Sequence, residues 1–225
     1  MKEIDIVDFH AHILPCADHG SNSVSTSLKQ LKYAKEQGVN RIIATPHFYP
    51  HRHTLDMFLK RRAHAYEELA SELTPDLPEI KLGAEVLLCE GLENFSGVEE
   101  LCIIGTKTLL LELPFSDFRN EYADTASELM RRGIDIVLAH VDRYPRESIE
   151  RMLDVGVTKF QLNASSLAKM FKKKHLLEWV NQGLVVALGS DIHNEDKSAY
   201  KKFRKAIKVL GANAERIANA SNKYF

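Results

Sequence analysis

The chain is 225 residues long, 44% hydrophobic and 27% charged, and it carries a formal net charge of −1. These values are ordinary for a globular protein, and they give no support for a general nucleic-acid-binding protein, which usually has an excess of basic residues. Acidic residues interrupt the start of the chain before a signal peptide could form, and no apolar run approaches the length of a membrane span. Three cysteines without Cys-x-x-Cys spacing argue against a disulfide scaffold. We therefore expect a cytoplasmic protein with no membrane span and no nucleic-acid partner.

Strand-like and helix-like segments alternate along the chain. The predicted strands are the apolar run that begins at Ile4 and ends near Phe9, and residues 41–45, 79–88, 108–113, 135–139, 159–163 and 184–189. The predicted helices are one capped by Ser25 or Ser27 and ending at 37, then 55–73, 122–132, 147–155, two short helices that end at Gly183, and 198–221. Near-continuous apolar strands that alternate with helices are typical of parallel sheets. Seven such units without a linker predict one α/β domain over residues 1–225, built as a closed or nearly closed barrel.

Histidines and carboxylates follow the ends of the predicted strands. His10 and His12 lie two apart on the first strand and therefore share a face, where two imidazoles can hold one cation. In barrels of this type the carboxyl ends of the strands surround one cleft, and burying these groups together without a cation would be costly. A single histidine is more often structural, but coincidence across five strands is a poor explanation. The candidate metal ligands are His10, His12, His19, His47, Glu85, Glu112, His140, Asp191 and His193.

These ligands are too numerous for one metal ion or two, so a three-metal centre with Glu85 as a bridging ligand fits best. Short motifs occur in the order found in the PHP (polymerase and histidinol phosphatase) superfamily: His10-x-His12, Asp18-His19-Gly20, Thr45-Pro46-His47, Gly83-Ala84-Glu85, Leu111-Glu112-Leu113, Ala139-His140-Val141-Asp142-Arg143-Tyr144 and Ser190-Asp191-Ile192-His193. Within it the chain resembles the capsule-associated bacterial protein-tyrosine phosphatases, and Gln161-Leu162-Asn163-Ala164-Ser165-Ser166-Leu167 strengthens this link.

The resemblance implies a distorted seven-stranded (β/α)7 barrel, three divalent metal ions (Mn, Fe, Zn or Mg) and phosphomonoester hydrolysis. The chain departs from the family pattern in the first loop, where Asp18-His19-Gly20 replaces the usual Asp-Asp-Gly. His19 precedes the glycine and is therefore the expected ligand, with Asp18 behind it. Asp142 also stands where relatives often have Glu.

The expected mechanism is in-line attack on phosphorus by a hydroxide that bridges two metal ions, and we assign catalytic roles to Arg143, Asp191 and His193. Arg143 also binds substrate in this hypothesis, because a guanidinium can clamp two phosphate oxygens at once. Arg52 is a second candidate for substrate binding, and so is Tyr144. Four aromatic residues that follow strand ends would wall a slot for an aromatic leaving group: Phe48, Tyr49, Phe115 and Tyr144.

The leading hypothesis is a metal-dependent protein-tyrosine phosphatase linked to exopolysaccharide or capsule regulation, with phosphotyrosine proteins as substrates and a tyrosine kinase as a partner. One alternative is a small-molecule phosphatase, such as one for histidinol phosphate. A metal-dependent nuclease of the TatD or PHP-exonuclease kind would need a basic cleft, which the charge balance does not suggest. An inactive, metal-stabilised scaffold that binds a kinase is the alternative outside enzymes. Thiol phosphatases are disfavoured, because no cysteine has an arginine six positions on.

Overall fold

The computed structural model describes residues 4–167 and 174–225. Its strands are all parallel, and they are β1 (Val7–Ala11), β2 (Arg41–Ala44), β3 (His47–Phe48), β4 (Glu79–Leu82), β5 (Glu85–Leu87), β6 (Thr108–Glu112), β7 (Asp135–Leu138), β8 (Phe160–Asn163) and β9 (Val185–Gly189). The helices are α1 (Val24–Glu36), α2 (Leu55–Ala70), α3 (Asn120–Arg131), α4 (Arg146–Asp154), α5 (Ala164–Leu167), α6 (Lys174–Asn181), α7 (Lys197–Leu210) and α8 (Ala212–Ser221). Short 3-10 helices cover Leu92–Asn94, Val98–Leu101, Val141–Arg143 and Asn222–Tyr224. Across the described ranges, no helix combines the length and the apolar character that a membrane span requires.

The strand pairings run around a barrel. β1 pairs with β9 on one side and with β2 on the other, β2 pairs with β4, β3 with β5, and β5 to β9 pair in order. β3 continues the direction of β2 after Pro46, and β5 continues β4 after Gly83 and Ala84. The nine strands of the described residues therefore occupy seven positions, and the predicted α/β barrel is confirmed.

Local chemistry explains why the strand count is nine instead of seven. Pro46 has no backbone N–H to give to a neighbouring strand, so it follows the end of the second predicted strand and separates β2 from the short additional strand β3. The carbonyl oxygen of Gly83 accepts a hydrogen bond of 2.9 Å from Arg62 of α2, which takes that group away from the strand ladder. Each interruption lies just before a candidate ligand, His47 or Glu85.

Two apolar clusters fill the fold. The larger lies between the sheet and the helices, and it includes Leu31, Leu129 and Phe203. The smaller draws Val7, Phe9, Ile43, Leu110, Val137 and Ala187 from five strands, which meet only along the barrel axis. Tyr224 packs against it, with its ring centroid 5.3 Å from that of Phe9. Apolar side chains therefore fill one end of the barrel, and the polar residues collect at the carboxyl ends of the strands.

Helix boundaries differ from the predictions at the start of α1 and near the end of the chain. The N-cap of α1 is Ser23, whose side chain accepts from the N–H of Thr26 at 3.2 Å, so the predicted caps Ser25 and Ser27 are wrong. The Ser27 hydroxyl is instead buried, 2.8 Å from that of Ser21. The predicted helix 198–221 is two helices, because Gly211 adopts a positive φ of 55° between α7 and α8.

Candidate metal centre

Eight of the nine predicted ligands lie together in one largely buried cluster at the carboxyl ends of the strands. They form four overlapping groups of three, and within each group the possible donor atoms all lie within 4.8 Å of one another. The groups are His12, His47 and His193; His10, Glu85 and His140; His10, His12 and Asp191; and His47, Glu85 and Glu112.

His10 and His12 leave the end of β1 side by side, as their spacing predicts. Both side chains are fully buried, and the two Nε2 atoms are 3.1 Å apart. Asp18 fixes the orientation of the second ring, because its Oδ2 accepts from His12 Nδ1 at 2.7 Å. A carboxylate can only accept here, so Nδ1 of His12 carries a proton, and in the neutral ring the lone pair is on Nε2, which faces the cluster. Asp18 also accepts from the backbone N–H of His47 at 2.9 Å and thereby ties the two strand ends together.

Glu85 lies at the centre of the cluster. Its Oε2 lies 3.1 Å from His10 Nε2, 3.2 Å from His12 Nε2 and 2.9 Å from His47 Nδ1, yet this buried oxygen makes no hydrogen bond within the described residues. The buried Nδ1 of His47 likewise makes no hydrogen bond to any described residue. Buried polar atoms are nearly always hydrogen-bonded. When several nitrogen and oxygen atoms that can ligate a metal converge without such bonds, they indicate a site for a cation. Imidazole and carboxylate groups are also the usual ligands of Zn, Mn and Fe, so the residues present fit divalent metal ions.

Glu112 and Asp191 add two further carboxylates to the cluster. The Oε1 of Glu112 lies 3.5 Å from His140 Nε2, which is itself 2.7 Å from Glu85 Oε1. The Oδ1 of Asp191 lies 3.5 Å from His12 Nε2. His140 and Asp191 have positive φ values of 30° and 51°, a left-handed region that is costly for residues other than glycine. The backbone is therefore strained where it presents these two groups.

Charge in the cluster favours cations. Burial alone would lower the pKa of His140, but the carboxylates of Glu112 and Glu85 raise it to about 9. Burial also opposes protonation of His12, and neighbouring carboxylates nevertheless raise its pKa. His193 shows the opposite balance, since burial and the positive charge of His12 lower its pKa to about 4. The carboxylates therefore favour positive charge at His12 and His140, where bound metal ions would supply it.

His19 lies at the rim of the cluster. Its side chain is exposed, and its ring stacks 4.9 Å from that of His47 and lies 4.7 Å from that of His193. It belongs to none of the four groups found among the described residues. The assignment of His19 as a ligand therefore stays a prediction.

A cavity of about 250 Å³ adjoins the cluster on the side of His140. Arg143 lines it and donates to Asp191 Oδ2. Tyr144 also lines it, with its ring 5.5 Å from that of His140 and its hydroxyl accepting from the N–H of Leu113 at 3.1 Å. Phe115 completes this wall 5.5 Å from Tyr144, and 69% of its surface is exposed. An aromatic cavity with a cationic edge thus opens beside the candidate metal centre.

Two other predicted substrate contacts, Arg52 and Tyr49, lie beside His47. Arg52 is exposed, and its guanidinium lies 5.5 Å from the ring of Tyr49, which stacks 4.9 Å from the ring of His47. Phe48 is fully buried and packs against Phe58. The prediction that Phe48 walls a slot is therefore wrong, because its ring belongs to the apolar core.

Two residues to which we assigned no role from the sequence also contact the cluster. The Oε1 of Gln161 lies 3.1 Å from His10 Nδ1, and the Nδ2 of Asn163 donates to Asp191 Oδ2 at 2.9 Å. They lie two apart on β8, the same spacing as His10 and His12, and this pattern of buried polar residues in a strand was the available signal.

This chain is similar to known proteins in sequence and in fold. "Tyrosine-protein phosphatase YwqE" of Bacillus subtilis is 28% identical over 204 residues, which cover 84% of this chain and 78% of that protein. "Tyrosine-protein phosphatase CpsB" of Streptococcus pneumoniae is 26% identical over 211 residues, covering 85% of this chain and 84% of that protein. A chain from the crystal structures of YwqE and CpsB, described as unique metal-dependent tyrosine phosphatases, superposes with a TM-score of 0.77 at 24% identity over 97% of this chain and 92% of that chain.

The family model for capsular polysaccharide synthesis, CpsB/CapC, matches residues 6–218. This match spans every strand of the barrel and all of the candidate ligands. The chain therefore belongs to the CpsB/CapC family of capsular polysaccharide synthesis proteins.

Proposed function

We propose that this protein is a metal-dependent phosphatase that hydrolyses phosphotyrosine in proteins and acts in capsule or exopolysaccharide synthesis. The observation that carries the proposal is the buried cluster of eight imidazole and carboxylate side chains. Within it, Oε2 of Glu85 has three imidazole nitrogens within 3.2 Å and makes no hydrogen bond to any described residue. Membership of the CpsB/CapC family and relatives named as tyrosine-protein phosphatases support the same activity.

The four groups of donors support a centre of three divalent ions. Glu85 belongs to two of the groups, as a bridging ligand would, and His10, His12 and His47 are also shared. His19 is close enough to the rim to complete the coordination of an ion near His47 and His193. When bound, divalent cations lower the pKa of a coordinated water and stabilise charge on the phosphoryl oxygens.

Arg143 is the proposed phosphate clamp. Its guanidinium contacts Asp191, and 42% of its side chain is exposed, so it can reach both the cluster and a substrate in the adjoining cavity. A guanidinium binds two phosphate oxygens at once and stabilises the charge that they carry. Asp191 and His193 are the other proposed catalytic residues, and Nδ1 of His193 lies 3.6 Å from Oδ1 of Asp191. Arg52 is a second proposed contact, which reaches the substrate from the side of Tyr49.

The aromatic cavity supports a phenolic leaving group over a small aliphatic one. Tyr144 and Phe115 present ring faces to a space beside His140, and such ring pairs favour a further aromatic group. The exposure of Phe115 leaves the outer end of the cavity open, so a polypeptide can continue out of it. We propose phosphotyrosine proteins as substrates on this ground, with a tyrosine kinase as the partner that produces them.

The test is an assay of the intact protein on a phosphotyrosine peptide and on histidinol phosphate, before and after chelation, with metal analysis of each sample. We expect turnover of the peptide, loss of activity on chelation and recovery when Mn²⁺ is restored. Preference for histidinol phosphate would instead indicate a small-molecule phosphatase. Bound metal without turnover of either ester would indicate a binding scaffold, and activity that survives complete removal of metal would contradict the proposal.

A further inference from the structure

Strand β8 differs from every other strand position of the barrel. Each of the other six positions presents at least one of the eight clustered ligands at or just beyond its end, and β8 presents none of them. It presents instead the amides of Gln161 and Asn163, which are 0% and 3% exposed. Buried amides are costly unless their hydrogen-bonding groups are paired, so their partners indicate what they do.

The backbone fixes the orientation of the Gln161 amide. Its Oε1 accepts from the backbone N–H of His140 at 2.7 Å, and a backbone N–H can only donate. The atom facing His140 is therefore the oxygen. The same oxygen lies 3.1 Å from His10 Nδ1, so this nitrogen must carry the proton. The lone pair of His10 is then on Nε2, which faces Glu85 and the candidate metal centre at 3.1 Å.

The orientation of the Gln161 amide determines that of the Asn163 amide. With its oxygen engaged, Gln161 turns its Nε2 towards Asn163 Oδ1, to which it donates at 3.0 Å. The Nδ2 of Asn163 must then face the other way, and it donates to Asp191 Oδ2 at 2.9 Å. This leaves Oδ1 of Asp191 directed at the Nε2 atoms of His12 and His10, at 3.5 Å and 3.8 Å.

We infer that Gln161 and Asn163 are positioning residues that set the metal-binding form of two ligands on neighbouring strands. Gln161 selects the tautomer of His10. Asn163, with Arg143 donating to the same oxygen, holds the Asp191 carboxylate in the orientation that directs Oδ1 at the other ligands. The orientations of both amides follow from the donor N–H of His140. The inference rests on the proposed function, because it concerns the affinity of the centre for its ions.

The test compares Mn²⁺ affinity among the wild-type protein, Gln161→Met, Asn163→Ala and the double variant, measured by competition with a chromophoric chelator. Removing a hydrogen-bond partner of a metal ligand typically weakens affinity by about 10–100-fold, and we expect losses in this range for both single variants. Because Asn163 receives its orientation from Gln161, the double variant should bind no more weakly than Gln161→Met. Ser221→Ala is the control, because it removes the hydrogen bond of another buried polar side chain, a hydroxyl on α8, and it should bind Mn²⁺ as the wild type does.

A second measurement reports the tautomer directly. Imidazole ¹⁵N shifts of the metal-free protein should show protonated Nδ1 at His10 in the wild type, in Asn163→Ala and in Gln161→Glu, which keeps the acceptor oxygen. They should show a mixture of tautomers in Gln161→Met. If Gln161→Met does not fold, the affinity measurement on Asn163→Ala keeps the test decisive, because wild-type Mn²⁺ affinity in that variant alone would overturn the positioning role of Asn163.

The outcomes separate the two proposals. Wild-type Mn²⁺ affinity in Gln161→Met and Asn163→Ala, or an equal loss in Ser221→Ala, would overturn the positioning role while leaving the metal-dependent function intact. A wild-type protein that bound no Mn²⁺, Zn²⁺, Fe²⁺ or Mg²⁺ would overturn the proposed function itself.

Discussion

Gly189 offers a test of how closely the floor of the candidate centre is packed. It is the last residue of β9, and a Cβ added there would lie 2.5 Å from Gln161 Nε2 and 2.6 Å from His10 Cβ. Ordinary contacts between carbon atoms are about 3.5–4.0 Å, so Gly189→Ala must displace both side chains by roughly 1 Å. Its φ lies outside the left-handed region, so the effect comes from space alone and not from the backbone.

We expect two measurable effects of Gly189→Ala. Overpacking a fully buried site costs about 1–3 kcal/mol, and a chain of this size loses roughly 2–4 °C of Tm per kcal/mol. A displacement of about 1 Å at a ligand is also enough to lower kcat/KM on a phosphotyrosine peptide by roughly 100-fold. Thermal unfolding and steady-state kinetics at saturating Mn²⁺ measure the two effects.

Gly83→Ala is the matched control. It makes the same glycine-to-alanine change at a buried position, in the short segment between β4 and β5. Its added Cβ would lie 3.3 Å from side-chain carbons of Ile103 and Ile43, which can shift by a few tenths of an ångström. We expect its Tm and kcat/KM to stay near those of the wild type. Wild-type activity and Tm in Gly189→Ala would refute the view that His10 and Gln161 are held without room to move.

Three further predictions concern charge, leaving group and protons. Arg143→Lys keeps the charge but loses the forked donor, so kcat/KM for a phosphotyrosine peptide should fall by about 10–100-fold, and an unchanged value would exclude the clamp. Phe115→Ala should lower kcat/KM for that peptide by about 2–10-fold and leave that for an alkyl phosphate unchanged, whereas equal effects on both would contradict the aromatic slot. The pKa of about 9 for metal-free His140 means that Mn²⁺ binding at pH 7 must displace its proton. Apparent Mn²⁺ affinity should therefore rise by about tenfold per pH unit for each proton released between pH 7 and 9, and calorimetry in buffers of different ionisation enthalpy should detect the release.

The barrel and the clustering of its ligands were predictable because their signals are local. Apolar runs mark the strands, and the carboxyl ends of parallel strands in a barrel must face one cleft, so His47, Glu85 and His140 could be placed together without coordinates. The splitting of two strands was less visible. Pro46 is an evident break between strands. The break at Gly83 is different, because its carbonyl oxygen accepts a hydrogen bond from Arg62, a helix residue 21 positions earlier in the chain.

Residues whose roles depend on distant partners were not predictable. Ser23, Ser25 and Ser27 are equally good caps by residue type, and the choice among them follows from the burial of Ser27 against Ser21. Gln161 and Asn163 carry no charge and resemble ordinary strand residues. Their spacing of two places both amides on one face of the strand, but their partners come from segments that only the closed barrel brings near, so the sequence does not show which ligands they contact.

The left-handed backbone at His140 and Asp191 links heat tolerance to metal supply. Each such residue costs roughly 1–2 kcal/mol, a sizeable share of the net stability of a typical domain. An ion present at about 100 times its dissociation constant returns about 2.7 kcal/mol to the native state. The metal-free protein should thus be the least stable form of this barrel. Growth conditions poor in metal would shorten the lifetime of the folded protein as well as lower its activity.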